Sequence, residues 1–412
     1  MLKKWLSKCR KIKAPHVLSF LFLVYIFFTG YGAFPQLLDN ISQSLQWNYG
    51  PAMVIQILDD QYSGMLETDP RKTALQDKGT YINFNGLMAK LMKQPLMNKQ
   101  VTLKNGHLAS PKAEAADPSR IQSSADNLIR FHQKQVEAQG HFLFVIAPSQ
   151  ISKYEDLLPT GYTDSTNASA DALLALLAEA GVHTLDLREC MQQEGIRTTE
   201  AFFATDHHWL PQTGFWAYTK ILSKLTQMGA IRPVDQLYTD MENYMFETYP
   251  DTFLGSAGKR TGIYYAGIDD SIFLRPGFET KLELTVPARN LALQGPYEDI
   301  SYNTDVVHNF TDPDFFNENM YGLYGWGDNP IAHWRNPNAP EQKRVLMIGE
   351  SFGNIPFSLF PLVLSECDEI DPRHYDGDFQ KYYAEFAPET VVFLITLGSD
   401  PSEITEYPYI PE

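Results

Sequence analysis

Arg344-Val345-Leu346-Met347-Ile348-Gly349-Glu350-Ser351 carries the plainest mark of the fold class. Its unbroken apolar run closed by a glycine reads as a buried strand, and the residues after it, FGNIPFSLFPLVL (352–364), read as a helix interrupted by prolines. A serine at the tight turn from a buried strand into a helix stands at the carboxyl edge of a sheet, where open α/β folds place their ligands. Working outward, HFLFVIAPS (141–149) and TVVFLIT (390–396) are runs of the same kind, and 183–187 is a further strand. Helical patterns lie between them at 120–140, 169–180, 379–386 and, led by Pro211, 211–228. This alternation predicts an α/β domain with a mostly parallel sheet. Residues 231–343 break the alternation. They are rich in Tyr, Asp, Gly and Pro, carry β-like pieces such as SIFLRP and KLELTV, and read as a large insertion of the kind that often covers a binding site.

The chain has 412 residues, 44% of them hydrophobic and 13% aromatic, enough for a large core and more than one structural unit. Its formal net charge is −17, yet Lys3, Lys4, Lys8, Arg10, Lys11 and Lys13 give the first thirteen residues +6, so the rest carries −23. Such an acidic body, with no basic stripe, excludes nucleic acid as a partner. Val17 to Ala33 (VLSFLFLVYIFFTGYGA) is uncharged and apolar all round, long enough for a membrane-spanning helix with its basic flank in the cytoplasm. A cleaved signal peptide using Gly30 and Gly32 is the competing reading, and either way the body is exported. The expected organisation is a cytoplasmic basic tail and signal-anchor (1–34), a stalk or N-terminal cap (35–117) with a turn at Asn105-Gly106, and the α/β domain (118–412) with its insertion at about 231–343. Cys190 and Cys367 could pair only if the fold brings them together, and no zinc-like spacing is present.

Ser351 needs a base, because an unassisted hydroxyl is a poor nucleophile, and the base needs a group that fixes its tautomer. FFATDHHW (202–209) holds both: Asp206 and His208, two residues apart, would lie on one side of an extended loop, with His207 pointing the other way and Trp209 walling the site. Other readings stay open. Ser351 could be a helix cap, Asp206-His207-His208 a metal ligand set, and His208 a hydrogen-bonded loop residue. Lys259 and Arg260, in a glycine-containing loop, either grip an anionic glycan or are simply solvated.

Together the blocks LKNGHL, FLFVIAPSQ, FFATDHHW, FLGSAGKRTG, VLMIGESFGN and IDPRHY, spread over 103–395, resemble the DHHW proteins, which are related to the alginate O-acetyltransferase proteins of the SGNH-hydrolase superfamily. The resemblance implies a three-layer α/β/α domain with Ser351 as nucleophile, His208 as base and Asp206 as its orienter. It makes Asn354 and Arg373 candidate oxyanion or substrate contacts beside the Ser351 amide. It implies an exported, membrane-tethered enzyme that moves an acyl group, most simply acetyl, onto a cell-surface or exported polysaccharide through an acyl-serine. A membrane-bound O-acyltransferase would be its partner, and the scheme requires neither metal nor cofactor. An esterase with the same triad and a catalytically silent glycan-binding scaffold are the alternatives. Where the family has Gly-Asp-Ser, this chain has Gly349-Glu350-Ser351, and the longer carboxylate bears on the turn that presents the serine.

Overall fold

The structure, a computed structural model, describes residues 78–396. The described residues from Ile82 onward form one compact unit. The expected membrane segment at 17–33 lies outside the described residues. Among the described residues no helix is long and apolar enough to cross a membrane.

Three short strands, β1 (Leu96–Met97), β2 (Gln100–Thr102) and β3 (Leu108–Ala109), make a small antiparallel sheet. Asn105-Gly106 turns the chain between the last two: Gly106 has φ +91° and donates its N–H to the Leu103 carbonyl at 2.9 Å. The larger sheet is assembled from β4 (His141–Ala147), β5 (His183–Asp186), β8 (Leu282–Val286), β9 (Leu291–Gly295), β10 (Ile331–Arg335), β11 (Glu341–Gly349), β12 (Leu364–Ile370) and β13 (Thr390–Thr396), and a separate hairpin pairs β6 (Tyr244–Phe253) with β7 (Asp269–Pro276). The order across the large sheet is β5-β4-β13-β11-β12-β10-β8-β9. The first five strands run parallel and the last three are antiparallel.

The apolar runs of β4, β11 and β13 are unbroken because both faces of these central strands are covered. Strand periodicity sends Phe142, Phe144, Ile146, Leu346, Ile348, Val391 and Phe393 to one face, under the helices Pro118–Glu137, Thr166–Glu179 and Phe379–Phe386. Leu143, Val145, Val345, Met347, Val392 and Leu394 face the other way, toward the helix Pro211–Gln227. Each such fully buried side chain stabilises the fold by about 1.5–3 kcal/mol, so these two seams hold the three layers together. Helix boundaries follow local chemistry. Asp117 caps Pro118–Glu137 by accepting from the Ser119 amide at 2.9 Å, and Pro118 occupies the first turn where its missing N–H costs nothing.

Two expectations need correction. FGNIPFSLFPLVL is not one kinked helix: it runs through a 3-10 turn (Ser351–Gly353), a short helix (Asn354–Leu359) and a second 3-10 turn (Phe360–Leu362), then enters β12. β12 carries Glu366, Asp368 and Glu369, so its sequence does not look like a central strand. The buried Asp368 is tolerated because His333 Nδ1 lies 2.8 Å from it and Arg335 and Tyr382 also bond to it. The segment 231–343 is likewise more than a cover: besides the β6–β7 hairpin it supplies β8, β9 and β10, which extend the sheet antiparallel from β12. Cys190 and Cys367 are both free thiols.

The helix Pro211–Gln227 meets Asn354–Leu359 so closely that a Cβ at Gly214 would sit 2.5 Å from Ile355 Cγ2. Gly214→Ala therefore overpacks this seam and costs about 1–3 kcal/mol, read as a lower midpoint in urea unfolding; an unchanged midpoint would show that the two helices are not held at this distance.

Candidate active site

Ser351 follows β11 directly: Glu350 is still extended, and the chain then coils into the turn Ser351–Gly353. The other half of the site lies on the loop between two short elements that close on each other. Phe202 and Trp209 form an isolated antiparallel bridge, and the Phe203 amide donates to the His208 carbonyl at 3.2 Å. The loop bends through 204–208 inside that closure and turns Asp206 and His208 toward the sheet edge.

The three groups meet there. His208 Nε2 is 2.7 Å from Ser351 Oγ, and His208 Nδ1 is hydrogen-bonded to Asp206 Oδ1. All three residues are buried. Asp206 Oδ1 also accepts the His208 amide at 3.1 Å, and its second oxygen accepts the Ser256 amide at the start of the helix Ser256–Thr261. Burial alone would raise the Asp206 carboxyl, but the adjacent imidazoles and these hydrogen bonds outweigh it and hold the group well below the ordinary carboxylate range. It is therefore ionised wherever the imidazole can work, and it selects the His208 tautomer with a proton on Nδ1 and a lone pair facing the serine.

The imidazole is confined on its faces as well as at its edges. Tyr321 stacks on it at 3.6 Å with the rings 5° from parallel, and His207 lies 3.8 Å from it at 37°. Two rings at such distances cannot share one face, so His208 is sandwiched between them. His207 was expected to point away; the bend through 204–208 removes strand alternation and brings its ring over its neighbour instead. His207 Nδ1 lies 3.2 Å from Ser256 Oγ, and partial burial together with the neighbouring His208 lowers its pKa to about 4. Near neutral pH it is an uncharged ring.

Several supports carried no signal in the sequence. Gln150 donates to the carbonyls of Phe203 and Asp206, both at 2.7 Å, and Asp269 accepts from the Ala204 amide at 3.1 Å and from the amide and hydroxyl of Thr205 at 2.7 Å. Asp269, Ser256 and Tyr321 all come from the 231–343 segment, so the insertion braces the relay. FLGSAG was visible as a block, but its contribution is a backbone amide that no residue type advertises. Gly255 explains that block: a Cβ there would lie 2.2 Å from Asp206 Cβ and 2.5 Å from the Thr205 carbonyl, so only glycine lets the segment approach.

The remaining candidates are placed as follows. Trp209 is fully buried against Phe352 at 5.1 Å and forms the floor of the site rather than its open wall. Asn354, three residues past Ser351, is buried with an Nδ2 that makes no hydrogen bond of good geometry. Arg373 is tied to carboxylates: Nε bonds Asp371 at 2.9 Å, while its terminal nitrogens lie 3.2 Å from Asp328 and 3.8 Å from Glu350. Glu350 turns away from the relay and accepts the Thr396 amide at 2.9 Å, so the longer side chain in Gly-Glu-Ser ties β11 to β13 without entering the site. Lys259 and Arg260 lie in the last turn of the helix Ser256–Thr261, not in a loop; Arg260 is exposed and its charge helps depress the His207 pKa. Asp206, His207 and His208 do offer ligand atoms within 4.8 Å of one another. Both His208 nitrogens already bond within the relay, however, which makes the set a poor cation cage.

Gly255→Ala should push Asp206 out of line with the imidazole and slow the reaction of Ser351 with an activated acetyl ester by about 10²-fold, measured by stopped-flow release of the leaving group; undiminished reactivity would show that the glycine's close approach is irrelevant to the relay.

Residues 109–243 match the family model described as the SGNH hydrolase-like domain of acetyltransferase AlgX. Among solved structures, Bacillus cereus PatB1 superposes with a TM-score of 0.61 at 19% identity over 75% of this chain and 99% of that one. The same protein with a sulfonyl adduct gives 0.59 at 18% identity, again over 75% and 99%. A DHHW family protein from Eubacterium siraeum gives 0.55 at 17% identity over 77% of this chain and 98% of that one. No curated protein matches the sequence. The likeness to DHHW proteins and to alginate acetyltransferase-related SGNH domains, read first from the motifs, is thus found again in the family match and among the folds.

Proposed function

We propose that the chain is an extracytoplasmic serine-dependent O-acyltransferase, most simply an O-acetyltransferase, that modifies a cell-surface or exported polysaccharide through an acyl-Ser351 intermediate. The reading is carried by one observation: an alcohol, an imidazole and a carboxylate aligned in relay at the end of a parallel strand, with Ser351 Oγ 2.7 Å from His208 Nε2. It is supported by the AlgX-type acetyltransferase match over residues 109–243, which hold Asp206 and His208, and by the sulfonyl adduct recorded on PatB1.

In the first half-reaction Ser351 Oγ attacks the donor's acyl carbonyl while its proton passes to His208 Nε2. The imidazolium is stabilised by Asp206, and the tetrahedral oxyanion would meet the Ser351 amide and the buried Asn354 Nδ2. The leaving group departs with the proton from Nε2. In the second half a sugar hydroxyl gives its proton to Nε2 and attacks the acyl-serine, and Ser351 Oγ leaves with that proton. Every step uses the same nitrogen, which is why clamping the ring by Tyr321 and His207 matters. No step calls for a metal or an organic cofactor. The segment 17–33 would tether the domain outside the membrane, and a membrane-bound O-acyltransferase would deliver the acyl group to it. Glu350 accepts the Thr396 amide and stands outside the relay, which supports an active Gly-Glu-Ser turn over a catalytically silent scaffold.

Incubating the full-length protein with an acetyl ester, with and without an oligosaccharide acceptor, tests this. Ester turnover should fall about 10³–10⁴-fold in Ser351→Ala and in His208→Ala, and acetylated oligosaccharide should accumulate with the wild type. Turnover that survives Ser351→Ala would reject the nucleophile, and free acetate as the sole product would assign an esterase instead.

A further inference from the structure

A cavity of about 310 Å³ opens at the carboxyl end of β4, lined by residues 148, 149 and 151–155 together with Asn167, Arg188, Gln192 and Arg197. Ser351 caps β11, and β13 alone separates β11 from β4. At about 4.8 Å per strand the strand end that opens the cavity and the one that carries Ser351 are therefore roughly 10 Å apart on one sheet edge. The wall and the relay also share a segment, because Gln150, between the lining residues Ser149 and Ile151, donates to the Asp206 carbonyl at 2.7 Å.

We propose that this cavity is a sugar subsite that holds one neutral, hydroxyl-rich unit of the acceptor chain away from the reacting hydroxyl. The parent chain is supplied by the acyl-transfer reading, on which this proposal rests for its ligand's identity. The charges decide the class. Lys153 is paired with Asp171 at 3.0 Å and Glu189 at 3.2 Å, and Arg188 with Asp171 and Asp186, each at 2.7 Å. Arg197 lies 3.8 Å from Glu200. Lys153 and Arg188 thus have close counter-ions and Arg197 a loose one, so an entering phosphate or uronate would meet carboxylates as well as cations.

What remains is hydroxyl chemistry. Gln192 and Arg197 are exposed at the wall, Tyr154 is 42% exposed with the Lys153 ammonium 5.7 Å from its ring centre, and Glu155 accepts the Thr198 amide at 2.9 Å from the opposite side. Donors and acceptors are mixed around an aromatic face, which suits groups that both give and take hydrogen bonds on an apolar ring. The volume is at the lower end for small-molecule pockets and fits one ring rather than a folded chain. The guanidinium of Arg188 is fully engaged by Asp186, Asp171 and Asn167, whose carbonyl and side-chain oxygens each lie 3.2 Å from Nη1, so it stiffens the wall and leaves contact with the sugar to its neighbours.

Isothermal titration of the full-length protein with cellohexaose, mannohexaose and chitohexaose, and with a hexameric galacturonate as the anionic counterpart, tests the subsite by binding alone. At least one neutral chain should bind, the uronate should not, and Tyr154→Ala and Gln192→Ala should each weaken the neutral chain about tenfold. Unaltered affinity in both variants, tighter binding of the uronate, or no binding by any neutral chain would overturn it. Acylation of Ser351 by an acetyl ester, followed by mass spectrometry in the same preparations, separates the two readings. Neutral-glycan binding that depends on Tyr154 and Gln192 without any acyl-serine keeps the subsite and removes the transferase, and the reverse pattern does the opposite.

Discussion

Asp206 is a charge kept in a dry place, and the rest of the site is arranged so that it can stay there. A carboxylate stripped of water is tolerable only when its oxygens are filled by donors. Here one oxygen serves the ring and amide of His208, and the other takes the Ser256 amide from a segment fifty residues away. The imidazole inherits its tautomer from that pairing and the serine inherits its base. The bare backbone at Gly255, the three bonds into Asp269 and the two donated by Gln150 all serve to bring the Ser256 amide and the 204–208 loop to this carboxylate.

This arrangement gives the long inserted segment a physical purpose. A relay on two loops of a parallel sheet would be free to splay. β8, β9 and β10 anchor the segment to the sheet beyond β12, and from that base it reaches back with Ser256, Asp269 and Tyr321. Tyr321 and His207 then fix the plane of the imidazole. A ring pinned at both nitrogens and on both faces has no room to turn over between half-reactions, as befits a base that must return the same proton. Because His207 is neutral near neutral pH, it covers the imidazole without opposing its positive charge.

The central sheet was legible in the sequence where burial on both faces leaves an unbroken apolar record, as in β4, β11 and β13. It was illegible where charge is balanced by partners remote in sequence. β12 reads as acidic because the Asp368 partners, His333, Arg335 and Tyr382, lie on β10 and a later helix. Ser351, His208 and Asp206 could be named because their types and order carry chemistry. The Ser256 amide and the stacking ring of Tyr321 could not, since a backbone donor and a buried tyrosine look the same in any context. His207 was misdirected for a related reason: strand alternation was applied to a loop whose bend is set by the Phe202–Trp209 closure.

The central claim is that Asp206 holds His208 in one tautomer with Nε2 turned to Ser351, and proton NMR of the full-length protein with isotope-labelled histidine reads this directly. The account predicts a far-downfield Nδ1–H resonance from His208 that disappears in Asp206→Ala and persists in Ser351→Ala. A His208 protonated on Nε2 in the neutral enzyme, or a resonance indifferent to loss of the Asp206 carboxylate, would contradict it.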